Sequence, residues 1–172
     1  NTELTDATVW VREAALFTIE NITLTGGFSG LLGTNANLPQ IRLTNCRLVG
    51  NNNFGLQLEN SLAIATDTTF ESGNPGSSVG VFLSSRLACN GCTFSTPGPN
   101  NVITVVKSLA SMSESSFSSG PIRSESSIVN IFDSEINSSG PGVPGMVAIN
   151  SSSVNLVRVE IFGRMLFEKS TS

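Results

Sequence analysis

The chain has 172 residues, 39% of them apolar and only 13% charged, with a formal net charge of −4 and neither His nor Tyr. That length predicts one domain with a core of useful size, and an acidic balance with no Lys/Arg cluster excludes a nucleic-acid surface. No run approaches the ~18 consecutive apolar residues of a membrane span, and apolar residues recurring on a fixed rhythm exclude disorder.

Residues 1–15 read as an N-terminal cap or a first coil. Trp10 and Val11 suit either a short helix or a first strand, and residues 9–17 are the one stretch with a trace of helical periodicity. No secretory leader and no initiator Met stand at Asn1, so a mature, trimmed or excised chain is expected.

Over residues 16–169 one short phrase returns seven times. Its clearest copies are Ile19-Glu20-Asn21-Ile22-Thr23-Leu24, Leu43-Thr44-Asn45-Cys46-Arg47-Leu48 and Cys89-Asn90-Gly91-Cys92-Thr93-Phe94. The closing apolar anchors are Leu24, Leu48, Phe70, Phe94, Phe117, Ile136 and Ile161, spaced by 24, 22, 24, 23, 19 and 25 residues. Within a copy, apolar residues alternate with polar ones, as on strands with one buried face. Such strands are too short to bury enough apolar area alone. A constant phrase length lets equivalent residues stack coil over coil instead.

The turns carry the same rhythm. Three residues before each anchor stand Asn21, Asn45, Asp67, Gly91, Glu114, Asp133 and Arg158. Asn, Asp and Gly tolerate the left-handed backbone of a tight bend, whereas Glu114 and Arg158 fit that position poorly. Gly and Pro gather in the looser loop after each anchor, where no ladder donor is required. The segment 164–172 reads as a further strand with no cap after it, which predicts a continuing chain or a stacked partner.

Cys46 and Cys92 share the small-residue position of the phrase and read as stacked core thiols. Three thiols cannot all pair within one chain. Cys89-Asn90-Gly91-Cys92 has redox-motif spacing, but it lies in a β-phrase and not at a helix start. With no His and three scattered Asp residues, neither a metal site nor a cofactor is expected.

The phrase and its continuation, Ile41-Arg42-Leu43-Thr44-Asn45-Cys46-Arg47-Leu48-Val49-Gly50 and then Phe54-Gly55-Leu56-Gln57-Leu58-Glu59-Asn60-Ser61, resemble the right-handed parallel β-helix repeat of pectin-lyase-like proteins. The resemblance runs over about residues 14–169. It implies an all-β fold: one single-stranded right-handed parallel β-helix of about seven coils filling residues 1–172. It leaves activity open, because that superfamily includes polysaccharide lyases and hydrolases, phage tailspikes and surface adhesins.

Two sets of residues are candidates for chemistry. Glu114 and Asp133 share the turn column one coil apart, with Arg158 in the next. Two carboxylates that close would hold one proton near neutrality, and the Arg would steady Asp133. The alternative is a solvated turn column. The second set is the outer face of the first strand of each coil, the face on which this superfamily usually binds carbohydrate. Gln57, Glu59, Phe82, Thr104, Arg123 and Glu125 are expected to point outward there, with Ser84, Val106, Ala148 and Asn150. Phe82 would form a sugar-stacking platform with Gln57 and Thr104. Ordinary exposed side chains on a solenoid are the alternative.

The motifs that would mark an enzyme of the resembled family are missing. There is no Asn-Thr-Asp, Asp-Asp or Gly-His-Gly segment, no clustered Asp for calcium, and no His for a nucleophilic triad. One Thr-x-Thr pair, Thr23 and Thr25, is not repeated in later coils. The leading expectation is a non-catalytic secreted, cell-surface or virion module, a rigid stalk or a glycan-contacting adhesive surface. Such a module would act in a homo-oligomer or larger assembly. The alternative is a polysaccharide lyase or glycoside hydrolase using the stacked carboxylates.

Overall fold

The computed structural model describes residues 7–13, 16–35, 41–74, 79–138 and 143–168. These build an all-β parallel solenoid of about six turns, close to the seven coils expected. Among the described residues there is no helix, so none that is long and apolar enough to cross a membrane. The candidate helix at residues 9–17 is instead the first strand, Val9–Arg12, followed later by Phe17–Glu20. Residues 1–6 of the expected cap lie outside the described residues.

Three strand columns form the walls. The first face stacks Val9–Arg12, Ser29–Thr34, Phe54–Glu59, Gly80–Leu83, Ile103–Val106, Ile122–Glu125, Pro144–Ile149 and Arg164–Glu168, all parallel. The second stacks Phe17–Glu20, Ile41–Thr44, Leu62–Thr66, Arg86–Asn90 and Leu109–Ser113. The third stacks Thr23–Leu24, Arg47–Asn51, Thr69–Ser72, Thr93–Ser95 and Ser116–Ser118. Two ten-residue strands, Ile128–Asn137 and Ser153–Phe162, serve both the second and third faces.

The expected anchor column is continuous. Leu24 pairs with Leu48, Leu48 with Phe70, Phe70 with Phe94, Phe94 with Phe117, Phe117 with Ile136, and Ile136 with Ile161. The three Phe rings stack with centroids 4.9 and 5.2 Å apart and planes 15° and 7° from parallel. In-register repetition places each ring one strand spacing above the last, and offset stacking adds to the burial of each ring.

All seven residues of the turn column have positive φ, from 48° at Asp67 and Asp133 to 64° at Gly91. Glu114 (49°) and Arg158 (52°) take the same bend despite their poor propensity, because the corner is imposed by the stack above and below. A second corner lies between the first and second faces. Asn35, Asn60, Ser84, Lys107, Ser126 and Asn150 occupy it, also with positive φ.

Just past each corner a small polar residue turns inward. Ser85, Ser108 and Ser127 each accept the backbone N–H of the small residue one turn before and donate to the carbonyl two residues earlier. Thr68, Ser115 and Ser134 do the same at the other corner. Bending the chain breaks the ladder, and these hydroxyls satisfy the N–H groups it leaves unpaired, while the carbonyls they donate to also accept a neighbouring turn's N–H.

Candidate functional site

The two predicted sets occupy different parts of the prism. Glu114, Asp133 and Arg158 stand at the corner between the second and third faces, on consecutive turns. Arg158 spans to Asp133 with two hydrogen bonds, Nε to Oδ1 and Nη2 to Oδ2, the latter 2.7 Å long. That fork holds the Asp133 carboxyl below its ordinary range, chiefly by hydrogen bonding, and raises the guanidinium of Arg158. Asp133 is therefore an ionised, committed acceptor and not a proton donor near neutrality.

These residues line a shallow open groove of about 390 Å³ that also takes in Glu135 and Glu160 of the third face. Glu135 and Glu160 are register partners on adjacent strands, so a second pair of carboxylates is stacked beside the first. This pair follows from the alternation of the long strands, in which Ser134 and Ile136 point inward and Glu135 outward. Among the described residues, no group of three or more His, Cys, Asp or Glu is placed to hold a metal ion.

On the first face the outward positions form two columns. One runs Trp10, Leu32, Gln57, Thr104, Arg123, Val147 and Leu166; the other runs Arg12, Thr34, Glu59, Leu83, Val106, Glu125, Ile149 and Glu168. Gln57, Glu59, Thr104, Arg123 and Glu125 lie in them as expected. Phe82 does not. It pairs with Leu58 and Val105 and is 1% exposed, inside the core. Ala148, likewise expected outside, is buried beside Ser124, and Ser84 and Asn150 sit in the corner itself.

The cause is a slip of one residue in phase, which exchanges inside for outside along a strand. The chain enters the first face through a bulge on two successive turns, at residues 53–56 and 79–80. The N–H groups of Asn53 and Phe54 share the Phe28 carbonyl, those of Gly55 and Leu56 share that of Val79, and those of Val79 and Gly80 share that of Val102. Such a bulge inserts one residue and re-aims its neighbours. Gly80 then faces inward, and an added Cβ there would lie 2.8 Å from the Phe82 ring. Glycine at 80 is what makes room for Phe82 in the core.

The same bulge delivers a different aromatic group to the surface. Phe28 and Phe54 meet edge to face, with centroids 5.9 Å apart and planes at 82°. They flank a pocket of about 240 Å³ with Leu32, Ser29, Gln57 and Glu59 in its lining. Ser29 Oγ donates to Gln57 Oε1 (3.2 Å), and Gln57 Nε2 donates to Glu59 Oε1 (3.0 Å). This chain fixes an amide and a carboxylate, each with more hydrogen-bonding capacity than the chain uses, beside an apolar rim. Trp10 extends the rim, its Nε1 donating to Thr34 Oγ1 at 3.0 Å. Farther along, Arg123 reaches Glu125 at 3.4 Å, and Asn150 Nδ2 donates to the same carboxylate at 3.2 Å. Sequence reasoning missed Phe28 and Phe54, because strict alternation counted back from Leu56 puts Phe54 inside. The paired Gly30 and Gly55 at the strand entry are the signal that marks the bulge.

Fold and face together define a parallel β-solenoid with a polar and aromatic strip along one outer wall. No protein-family model, curated protein or solved structure matches the chain.

Proposed function

We propose that this chain is a non-catalytic, rigid module of the pectin-lyase-like β-helix kind, which contacts glycans along its first face. The observation that carries this reading is the pocket in which Phe28 and Phe54 adjoin the Ser29–Gln57–Glu59 hydrogen-bond chain. Sugars bind through an apolar ring face plus planar polar groups, and both are fixed here on a laddered backbone. Glu59, Thr104, Arg123 and Glu125 then line the course of a longer chain along the same wall. Low charge with abundant Ser, Thr and Asn supports a secreted, cell-surface or virion setting. The exposure of Phe162, Met165 and Phe167 on the last described turns supports a stacked neighbour in a larger assembly.

Retention on immobilised neutral and acidic oligosaccharides tests the reading. Binding by the wild-type chain that drops at least tenfold in Phe54→Ala and in Gln57→Ala, with unchanged circular dichroism, is the expected result. No retention on any glycan would sink it.

A second reading rests on the stacked carboxylates of the corner groove. In it the chain cleaves polysaccharide with Glu114 and Asp133 as an acid pair holding one proton, steadied by Arg158. The fork on Asp133 disfavours it, since that carboxyl is held ionised. New reducing ends or unsaturated products, lost in Glu114→Gln, would replace the first reading with this one.

A further inference from the structure

The pocket between Phe28 and Phe54 takes a sugar on the reading above, and on that reading its lining also decides which sugars enter. Ser29, Gln57 and Glu59 are the polar members of that lining, and Glu59 is the charged one. Among the described residues no cation lines the pocket. The flanking turns place Thr34 and Leu83 beside Glu59 in its column, and Leu32 beside Gln57. Arg12, in the column of Glu59, lies two turns away. Its guanidinium is drawn over the Trp10 ring, 5.8 Å from the centroid, and to 3.5 Å from the Glu13 carboxylate.

The hydrogen-bond chain fixes which polar atoms meet a ligand. Ser29 is 2% exposed and holds Gln57 Oε1 at 3.2 Å, and Gln57 Nε2 lies 3.0 Å from Glu59 Oε1. The opposite setting of the amide would turn its oxygen toward a carboxylate, so this setting is the one the chemistry allows. One amide N–H and the carboxylate are left for a ligand, and Glu59 Oε2 has no hydrogen-bond partner among the described residues. Such a site offers charged acceptors to hydroxyl groups and a single neutral donor to an anion.

We propose that this pocket selects uncharged hexoses over uronic acids, and that Glu59 sets the choice. Two neighbouring hydroxyls of a pyranose donate to the Glu59 carboxylate, while an apolar face of the ring lies against the Phe28–Phe54 rim. A uronic acid of the same shape carries a carboxylate at C6. Two like charges would then share one small pocket with no cation in its lining to offset them. The volume, about 240 Å³, suits one ring of a chain, so the second charge cannot move far from the first. Farther along the wall Arg123 is paired with Glu125, and that stretch supplies no net positive charge to reverse the preference.

Isothermal titration calorimetry with matched ligands provides the test: short chains of glucose and of galactose, and the same chains oxidised at C6 to uronic acids. At low salt the neutral member of a bound pair should bind about tenfold tighter, the size of effect that one like-charge contact supplies at a half-exposed site. Added salt should narrow the gap. Glu59→Gln keeps an acceptor for Gln57 Nε2 and removes the charge. It should weaken the neutral ligand, strengthen the oxidised one and bring the two within about threefold. Phe54→Ala should lose both, with unchanged circular dichroism. An oxidised chain that binds as tightly as its neutral partner, and is lost in Phe54→Ala, would overturn the selectivity and leave the glycan reading standing. A gap that survives in Glu59→Gln would overturn the role of Glu59. Binding of neither member of any pair would overturn the glycan reading and the selectivity with it.

Discussion

Arg158 and Asp133 stand on adjacent turns at one corner of the prism, both with left-handed backbone, and the guanidinium grips the carboxylate through both of its oxygens. The pair explains how Arg, a poor residue for positive φ, is held there. The interaction also ties stability to pH. Asp133 has its carboxyl lowered from an ordinary 3.8, so its contribution is complete above that value and disappears as pH falls through the lower folded value. Arg158→Asn keeps a residue suited to the bend and removes the charge. Carboxyl titration by NMR should then show Asp133 moving up toward the ordinary value, and acid unfolding should lose the part of its pH dependence below 3.8. Because both side chains are exposed, added salt should shrink the wild-type effect.

Phe94 sits between Phe70 and Phe117 with ring planes nearly parallel to both, and its exposure is zero. Replacement by Ala would leave a void inside the prism that a laddered wall has little freedom to fill. The expected loss is about 3–5 kcal/mol, read by chemical denaturation. Phe94→Leu should cost less, because Leu48 already fills the same column two turns away. Equal losses for the two variants would show that the stacked rings, and not the filled volume, set the cost.

The anchor column and the first set of corners were legible because each rests on residue type at a fixed offset. Leu, Phe or Ile closes every copy, and Asn, Asp or Gly stands at the bend before five of the seven. The second corner was less visible: Ser84, Lys107 and Ser126 have positive φ, yet none has the local preference of Asn35 or Asn60. Inward Ser85, Ser108 and Ser127 went unmarked in the sequence although they are buried, since their role depends on a carbonyl and an N–H brought close by stacking. The outer face was half legible. Gln57, Glu59, Thr104, Arg123 and Glu125 followed from alternation, but Phe82 did not, because a bulge resets parity where two N–H groups share one acceptor, and Ala148 did not, in a strand whose register shifts between Pro144 and Met146. Period-two reasoning carries no term for that reset.

Gly120 and Gly26 separate two reasons for keeping glycine. A Cβ at Gly120 would lie 1.8 Å from the Asn100 carbonyl oxygen, a backbone atom fixed by the previous turn. At Gly26 it would meet nothing within 4 Å, and only the φ of 85° opposes it. Gly26→Ala should therefore cost about 1–2 kcal/mol of left-handed strain. Gly120→Ala should cost more, because the wall itself must move. Thermal melts of the two variants give the comparison, and a milder effect at Gly120 would mean that the Asn100 loop yields easily.

One substitution should act with opposite signs at two buried serines of the same wall. Ser108 Oγ has the Val106 and Phe82 carbonyls at 2.7 and 3.0 Å as acceptors for its one proton, and accepts the Ser85 N–H at 2.9 Å. Ser108→Ala removes those bonds and strands the buried Ser85 donor, for an expected loss of about 1–3 kcal/mol. Ser124 Oγ is buried between Val105 and Ala148 with no hydrogen-bond partner among the described residues. Ser124→Ala removes a desolvated hydroxyl and leaves a methyl group in an apolar column, so it should raise stability by about 1 kcal/mol or more. Denaturant midpoints of the two variants decide the matter, because hydroxyls that mattered only through volume would shift both midpoints in the same direction.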